Sequence, residues 1–382
     1  MADRKADILL VGGGIASATA AHTLREEGFD GSILLVGREP HPPYHRPPAS
    51  KEYLRGEHDA DGALVHPADW WQSAGVELLT RTSVLELDAE SRTAKLSSKE
   101  VVGFDRALVA TGAMVRRLPV DGAQLEGIHY LRALGNADSI RADTEGAERV
   151  VCVGGSYIAS EVAASLTELG RKVTMVMLED DPLERSFGTT AGRYFRRVLE
   201  EHGIELIGGD EVARFEGEER VERVVTQNGR ELGAQAVICG VGALPDVMLA
   251  RKSGLALGEL GGVLCDSRLR TSAEGIFAAG DMCEHESVVH GRVVRIEHEE
   301  VAAAQGRTAA RNMLGADVAH DEVPYFFSDL SDWTSLEYVG PAFGWDDEEI
   351  EGSVDDGAFA VWYRSGGAVR AMLSVGGAGD LE

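Results

Sequence analysis

The sequence is poor in cysteine, in positive charge, in aromatic residues and in long apolar runs, and each shortage excludes something. Its four cysteines, Cys152, Cys239, Cys265 and Cys283, form no CxxC or CxxxxC pair, which excludes a zinc ribbon and a dithiol redox centre. No apolar run approaches the roughly 18 residues of a membrane helix. Arg4 and Lys5 ahead of residues 8–16 imitate a secretory leader, but three consecutive glycines interrupt it. A cytoplasmic protein with no membrane partner is therefore expected. Lys and Arg number 37 against 64 Asp and Glu, a net charge of −27 that repels nucleic acid and anionic surfaces, so no nucleic-acid partner is expected. Aromatic residues make up only 6%, whereas glycine reaches 46 residues, as tight turns and phosphate loops require. The 382 residues suffice for two or three domains.

What is present is a duplication. Residues 8–28, ILLVGGGIASATAAHTLREEG, align without gaps on residues 150–170, VVCVGGSYIASEVAASLTELG. Each copy reads as an aliphatic strand, a glycine turn and an Ala-rich helix stopped by Gly28 or Gly170, then a second strand over 33–36 or 173–177. Two βαβ units of the dinucleotide-binding kind are predicted, because a glycine turn lets backbone N–H groups approach a pyrophosphate at a helix N-terminus. The first copy offers Gly12, Gly14 and Ser17; the second offers Gly154, Ser156 and Ala159, followed by Tyr157 and Ile158 in the first turn of its helix. Ser156 places a Cβ where a phosphate should approach, so a decayed structural repeat is the competing reading of copy two. Glu39 and Glu179, shortly after the second strands, are the candidates for ribose hydroxyls.

Further segments carry a family resemblance. Residues 43–51, PYHRPPASK, together with Ala110-Thr111-Gly112, Gly280-Asp281, Gln305-Gly306-Arg307 and the run 324–329, PYFFSD, resemble the FAD-dependent, NAD(P)H-oxidising ferredoxin reductases of the putidaredoxin reductase type, relatives of apoptosis-inducing factor. The resemblance implies an α/β fold with two Rossmann-like, glutathione-reductase-like domains and a small α+β C-terminal domain. It places a discontinuous FAD domain at 1–115 and 247–320, an NAD(P) domain at 116–246 and a C-terminal interface domain at 321–382, with the chain ending at Glu382 earlier than in that family.

The same resemblance assigns roles. Arg46, Ala110, Thr111, Gly112, Gly280 and Asp281 belong to the flavin site, with Asp281 accepting from ribityl hydroxyls. Lys51 lies near flavin N5 and pairs across the two domains with Glu161, so these two are the catalytic candidates. Glu297, His298 and Glu299 open a helix whose N-terminus faces the flavin pyrimidine, and Phe327 stands near the electron exit; Glu299 and Phe327 replace tryptophans frequent in the family. His285, His290 and His298 have ligand-like spacing, yet they fall among acidic residues in a loop and at a helix start, so no metal is expected.

The expected activity is hydride transfer from NAD(P)H to FAD, then single-electron delivery to a [2Fe-2S] or other ferredoxin, by a monomer or homodimer. Two alternatives stay open: an apoptosis-inducing-factor-like redox sensor or NAD(P)H oxidase without a dedicated ferredoxin, and a flavin-bearing subunit without turnover. Glu179, Asp180 and Asp181 favour NADH over NADPH, with Arg171, Lys172 and Arg185 as the cations that would reverse that preference.

Overall fold

The structure, a computed structural model, describes residues 2–379; the early chain end at Glu382 lies outside them. The chain forms two compact units. The first contains the residues through His45, Ala60–Met114 and Leu244–Pro324; the second contains Arg46–Asp59, Val115–Ala243 and everything from Tyr325 onward.

In the first unit, strand Arg4–Val11 is fully apolar over its C-terminal half because both its faces are covered, as parallel strands require. It pairs in parallel with Ile33–Val36 on one side and Val101–Val109 on the other. Val76–Leu79 extends the sheet beyond Ile33–Val36, and Ile276–Ala278 adds in parallel to Val101–Val109. Helix Ile15–Glu26 covers one face with Ala18, Ala20, Ala21 and Leu24, small side chains that let it approach helix Glu299–Met313 closely. Glu26 ends the first helix, and Gly28 follows at φ 80°, the left-handed stop read from the sequence.

The second unit repeats this plan, with strand order Glu205–Ile207, Lys172–Val176, Arg149–Val153, Ala236–Cys239, Ile128–His129. The repeat also runs further than the sequence shows. An antiparallel meander precedes the fourth core strand in both units, Val84–Asp88 and Thr93–Leu96 in one, Val212–Glu216, Arg223–Thr226 and Glu231–Gly233 in the other.

Residues 325–375 of the second unit build a five-stranded antiparallel sheet in the order Tyr325–Leu330, Thr334–Val339, Ala368–Val375, Ala358–Ser365, Asp347–Ser353. The C-terminal segment expected as α+β thus consists, among the described residues after 320, of strands and turns alone, since its apolar residues recur with period two and bury one face. No helix among the described residues is long and apolar enough to cross a membrane, and no group of three or more His, Cys, Asp or Glu among them is placed to hold a metal ion.

Imidazoles pushed down by burial in the first unit, His285 with the largest shift, make acid the weak side of this fold. His285 is 2% exposed, and burial, with His320 and His290 nearby, pushes its imidazole down to about 4. Its folded value lies below the unfolded one, so the stability it contributes is complete above about pH 6.5 and is lost as pH falls to about 4, roughly 3 kcal/mol in all. Urea denaturation at pH 7 and pH 4.5 should show a loss that His285→Phe reduces by half or more; an equal loss in both proteins would refute the assignment.

Candidate cofactor site

Three turns meet at the C-terminal ends of the parallel strands of the first unit. Strand Arg4–Val11 is where the sheet order reverses, the place where open α/β sheets bind ligands. Gly12 leaves that strand at φ +117°, and a Cβ on it would lie 2.1 Å from the Ala110 carbonyl oxygen. The Thr111 hydroxyl donates to the Asp246 carbonyl at 2.6 Å and contacts Met282 Sδ at 2.9 Å, which ties the Ala110–Gly112 turn to the turn beginning at Gly280. Gln305, from helix Glu299–Met313, accepts from Gly280 N–H at 2.8 Å. Gln305, of the Gln305-Gly306-Arg307 motif, thereby braces the Gly280-Asp281 turn. Asp281 also gives its carbonyl to Arg295 at 2.9 Å.

The Gly14 position tests whether this cradle fits a dinucleotide. A Cβ there would meet nothing within 4 Å, and the helix it opens has no side-chain cap and no acid in its first turn. In a chain with 64 Asp and Glu, an uncapped N-terminus without a carboxylate, facing open space, has the properties of a phosphate site. The residues therefore fit the pyrophosphate of a bound FAD. Ser17, at the third glycine position, is fully buried, and its hydroxyl has no hydrogen-bond partner among the described residues. Glu39 follows the second strand and accepts from the Tyr44 hydroxyl.

The second unit repeats the arrangement. Gly154, at φ +113°, approaches the Gly240 carbonyl as Gly12 approaches that of Ala110, so Gly240-Val241-Gly242 is the structural counterpart of Ala110-Thr111-Gly112. Ser156 Oγ donates to the Gly240 carbonyl at 2.7 Å, which anchors the hydroxyl to the neighbouring turn and leaves the Cβ expected from the sequence in place. Helix Tyr157–Glu168 again has no side-chain cap and no acid in its first turn. Tyr157 packs its ring edge-to-face on Phe187 at 5.8 Å, and Ile158 follows it in the first turn. Glu179 Oε2 lies 3.6 Å from where a Cβ on Gly155 would stand, so its carboxylate overhangs the glycine turn. Arg171 and Lys172 sit at the opposite end of strand Lys172–Val176, where Lys172 pairs with Glu148 at 2.6 Å, so strand direction removes both from the cations that could reverse the NADH preference. Arg185, 3.9 Å from Glu179, and Arg196, paired with Asp181, are cations at the Glu179 end.

The third helix N-terminus differs. His298 caps helix Glu299–Met313 by accepting from Glu300 N–H at 3.3 Å, and Glu299 and Glu300 occupy its first turn. Glu299 pairs with His45, holding that imidazole above its ordinary value, and Glu297 pairs with Arg295 at 2.5 Å. The chain's own carboxylates answer this dipole.

Lys51 and Glu161, expected on different domains, both belong to the second unit, because the segment Arg46–Asp59 docks there. Tyr53 donates to Asp138 at 2.9 Å, Ser165 donates to the Ser50 carbonyl at 2.7 Å, and Arg46 donates to the Arg132 carbonyl. Lys51 Nζ is 3.6 Å from Glu161 Oε1 but 2.5 Å from Asp329 Oδ2, and 5.3 Å from the centroid of the half-exposed Phe327 ring. Glu161 accepts from Ser50 Oγ at 2.5 Å and Ser328 Oγ at 2.6 Å. Ser50, Ser328 and Asp329 were missed as site residues. Asp329 closes the PYFFSD run, and its two-residue spacing from Phe327 puts both on one side of the strand, but which segment that side meets is not in the spacing.

Comparison with known proteins identifies the family. The model of the pyridine nucleotide-disulphide oxidoreductases matches residues 6–306. Rhodocoxin reductase of Rhodococcus erythropolis is 33% identical over 371 residues, 96% of this chain and 86% of that protein. The ferredoxin–NAD(+) reductase subunit of the benzene 1,2-dioxygenase system of Pseudomonas putida is 32% identical over 96% of this chain and 88% of its own length. Among solved structures, a ferredoxin reductase from Rhodopseudomonas palustris superposes with a TM-score of 0.93 at 32% identity, covering 98% of this chain and 91% of that one. Putidaredoxin reductase in its covalent complex with putidaredoxin gives 0.92 at 32% identity, covering 98% and 90%. With paired nucleotide turns, a matching architecture and a family match across most of its length, the chain belongs to the pyridine nucleotide-disulphide oxidoreductase family.

Proposed function

We propose that the protein is a flavoprotein NADH:ferredoxin reductase, with FAD held by the first unit and NADH by the second. The observation that carries this reading is the repeated glycine turn opening an uncapped, acid-free helix N-terminus in each unit, one for each dinucleotide. Bound FAD supplies the conversion of one hydride into two single electrons. The chain's own residues bind and orient. Gly12 and Gly14 would admit the pyrophosphate to the N–H groups of helix Ile15–Glu26, and Glu39 and Asp281 would accept hydrogen bonds from hydroxyls of the ribose and ribityl chain. Lys51 presents a buried ammonium to developing negative charge, oriented by Asp329 and Glu161. All four cysteines are buried free thiols, Cys265 beside Cys283, and PPASKEYL contains none, which supports electron exit without a dithiol in that segment. Relatives acting as ferredoxin reductases in oxygenase systems support an iron–sulfur acceptor. Anaerobic titration should bleach a non-covalent flavin with NADH, and added ferredoxin should then support cytochrome c reduction. A colourless protein that takes up no FAD would overturn the reading.

Nicotinamide choice rests on Glu179, whose carboxylate overhangs the second turn and would repel a 2′-phosphate. NADH should exceed NADPH in kcat/KM by tenfold or more, about 1.4 kcal/mol, and Glu179→Ala should shrink that ratio. A ratio unchanged in the variant would mean that Glu179 does not read the ribose.

A further inference from the structure

We propose that Asp329 is the counterion of Lys51, and that Glu161 is kept as a neutral carboxylic acid holding an exchangeable proton beside the ammonium. The geometry separates the two carboxyl groups. Asp329 Oδ2 stands 2.5 Å from Nζ with its side chain 30% exposed, whereas Glu161 Oε1 stands 3.6 Å away with its side chain 9% exposed. One ammonium faces two carboxyl groups in a site where only one is partly in water, so the penalty of burying a charge falls on Glu161.

The two serines complete the case. Each Glu161 oxygen meets one hydroxyl, Ser50 Oγ on Oε2 and Ser328 Oγ on Oε1. A hydroxyl both donates and accepts, so one serine can donate to the carbonyl oxygen of a protonated Glu161 while the other accepts its proton, leaving no polar atom unsatisfied. Burial pushes Glu161 up, Asp329 adds to that, and the opposing pull of Lys51 and the two hydroxyls does not cancel it. The remaining polar or charged neighbours do not alter the balance. Arg55 is engaged by Glu57 and Ser165 and also acts on Asp329, not on Glu161, and Tyr157 on the same helix as Glu161 is a phenol pushed up by burial.

Three separate segments, Pro47–Arg55, Tyr157–Glu168 and Tyr325–Leu330, contribute one carboxyl or cation each. The cluster can therefore take up or release a proton at Glu161 without losing the pairing of Lys51. On the function proposed above, on which this last step alone rests, that proton moves as charge near Lys51 changes. Asp329 is a positioning residue: it acts through Lys51.

The test reads the carboxyl group itself in the full-length protein. Infrared difference spectra between wild type and Glu161→Gln at pH 7 should contain a protonated-carboxyl stretch from Glu161. In Asp329→Asn that stretch should disappear at pH 7, because Glu161 becomes the sole counterion, and Asp329→Glu should restore it. In NADH-driven flavin reduction, Glu161→Gln should lose a pH inflection that Asp329→Asn moves downward by about one pH unit or more. Absence of the stretch in wild type overturns the proposal even if Asp329→Asn fails to fold. Persistence of the stretch in Asp329→Asn overturns the part played by Asp329. Neither spectral result depends on whether the protein uses NADH, so failure of the functional reading would register separately.

Discussion

Gly12→Ala should abolish folding of the first unit, whereas Gly14→Ala should fold and lose its flavin. The two glycines lie two residues apart in one turn, yet their surroundings are opposite. At Gly12 the added methyl would stand 2.1 Å from the Ala110 oxygen at a φ of +117°, a backbone atom and a backbone conformation that cannot both yield. The expected cost exceeds about 4 kcal/mol, a large part of the roughly 5–15 kcal/mol that holds a domain together. At Gly14 the methyl meets no protein atom within 4 Å, and the φ of −99° suits any residue. Losing glycine at the helix N-cap costs less than about 1 kcal/mol. The methyl would instead fill the space assigned to the pyrophosphate, so FAD affinity should fall tenfold or more while the urea midpoint of the apoprotein stays put. Wild-type FAD affinity in Gly14→Ala would place the phosphate elsewhere.

Lys51→Met should slow flavin reduction by NADH at least 100-fold while leaving the protein folded. Methionine matches the aliphatic stem of lysine, and the carboxyl groups it leaves behind have other means of relief. Asp329 is partly solvated, and Glu161 retains both serine hydroxyls. The stability loss should therefore stay below about 2 kcal/mol, less than the 3–5 kcal/mol typical when one member of a fully buried pair is removed. Charge stabilisation by a pre-oriented donor is worth about 10²–10³ in rate, and the Lys51 ammonium, 3% exposed and fixed by Asp329, is such a donor. Stopped-flow reduction rates beside urea denaturation separate the two effects. A variant that reduces at the wild-type rate would remove Lys51 from the reaction.

Much of this protein is legible in local sequence because its decisive features are local. A glycine turn between an aliphatic strand and an Ala-rich helix needs only consecutive residues, so both nucleotide turns, both glycine helix stops and the strands around Leu336, Phe359 and Val369 can be read from one segment at a time. Strand Asp347–Ser353 is hidden for the same reason: four of its seven residues are acidic, and only pairing with Ala358–Ser365 makes it a strand. The antiparallel meander of each unit likewise diverged in sequence while its pairing pattern persisted. Tertiary structure alone decided where Lys51 belongs, because docking of Arg46–Asp59 depends on Asp138, Ser165 and Arg132, remote in sequence. It also decided that Arg171 and Lys172 lie at the wrong end of their strand for a ribose phosphate, a matter of chain direction. Finally, it decided that Asp329 approaches Lys51 more closely than Glu161 does. Charge pairing between segments separated by 278 residues is a property of distance in space, and no spacing within the sequence encodes it.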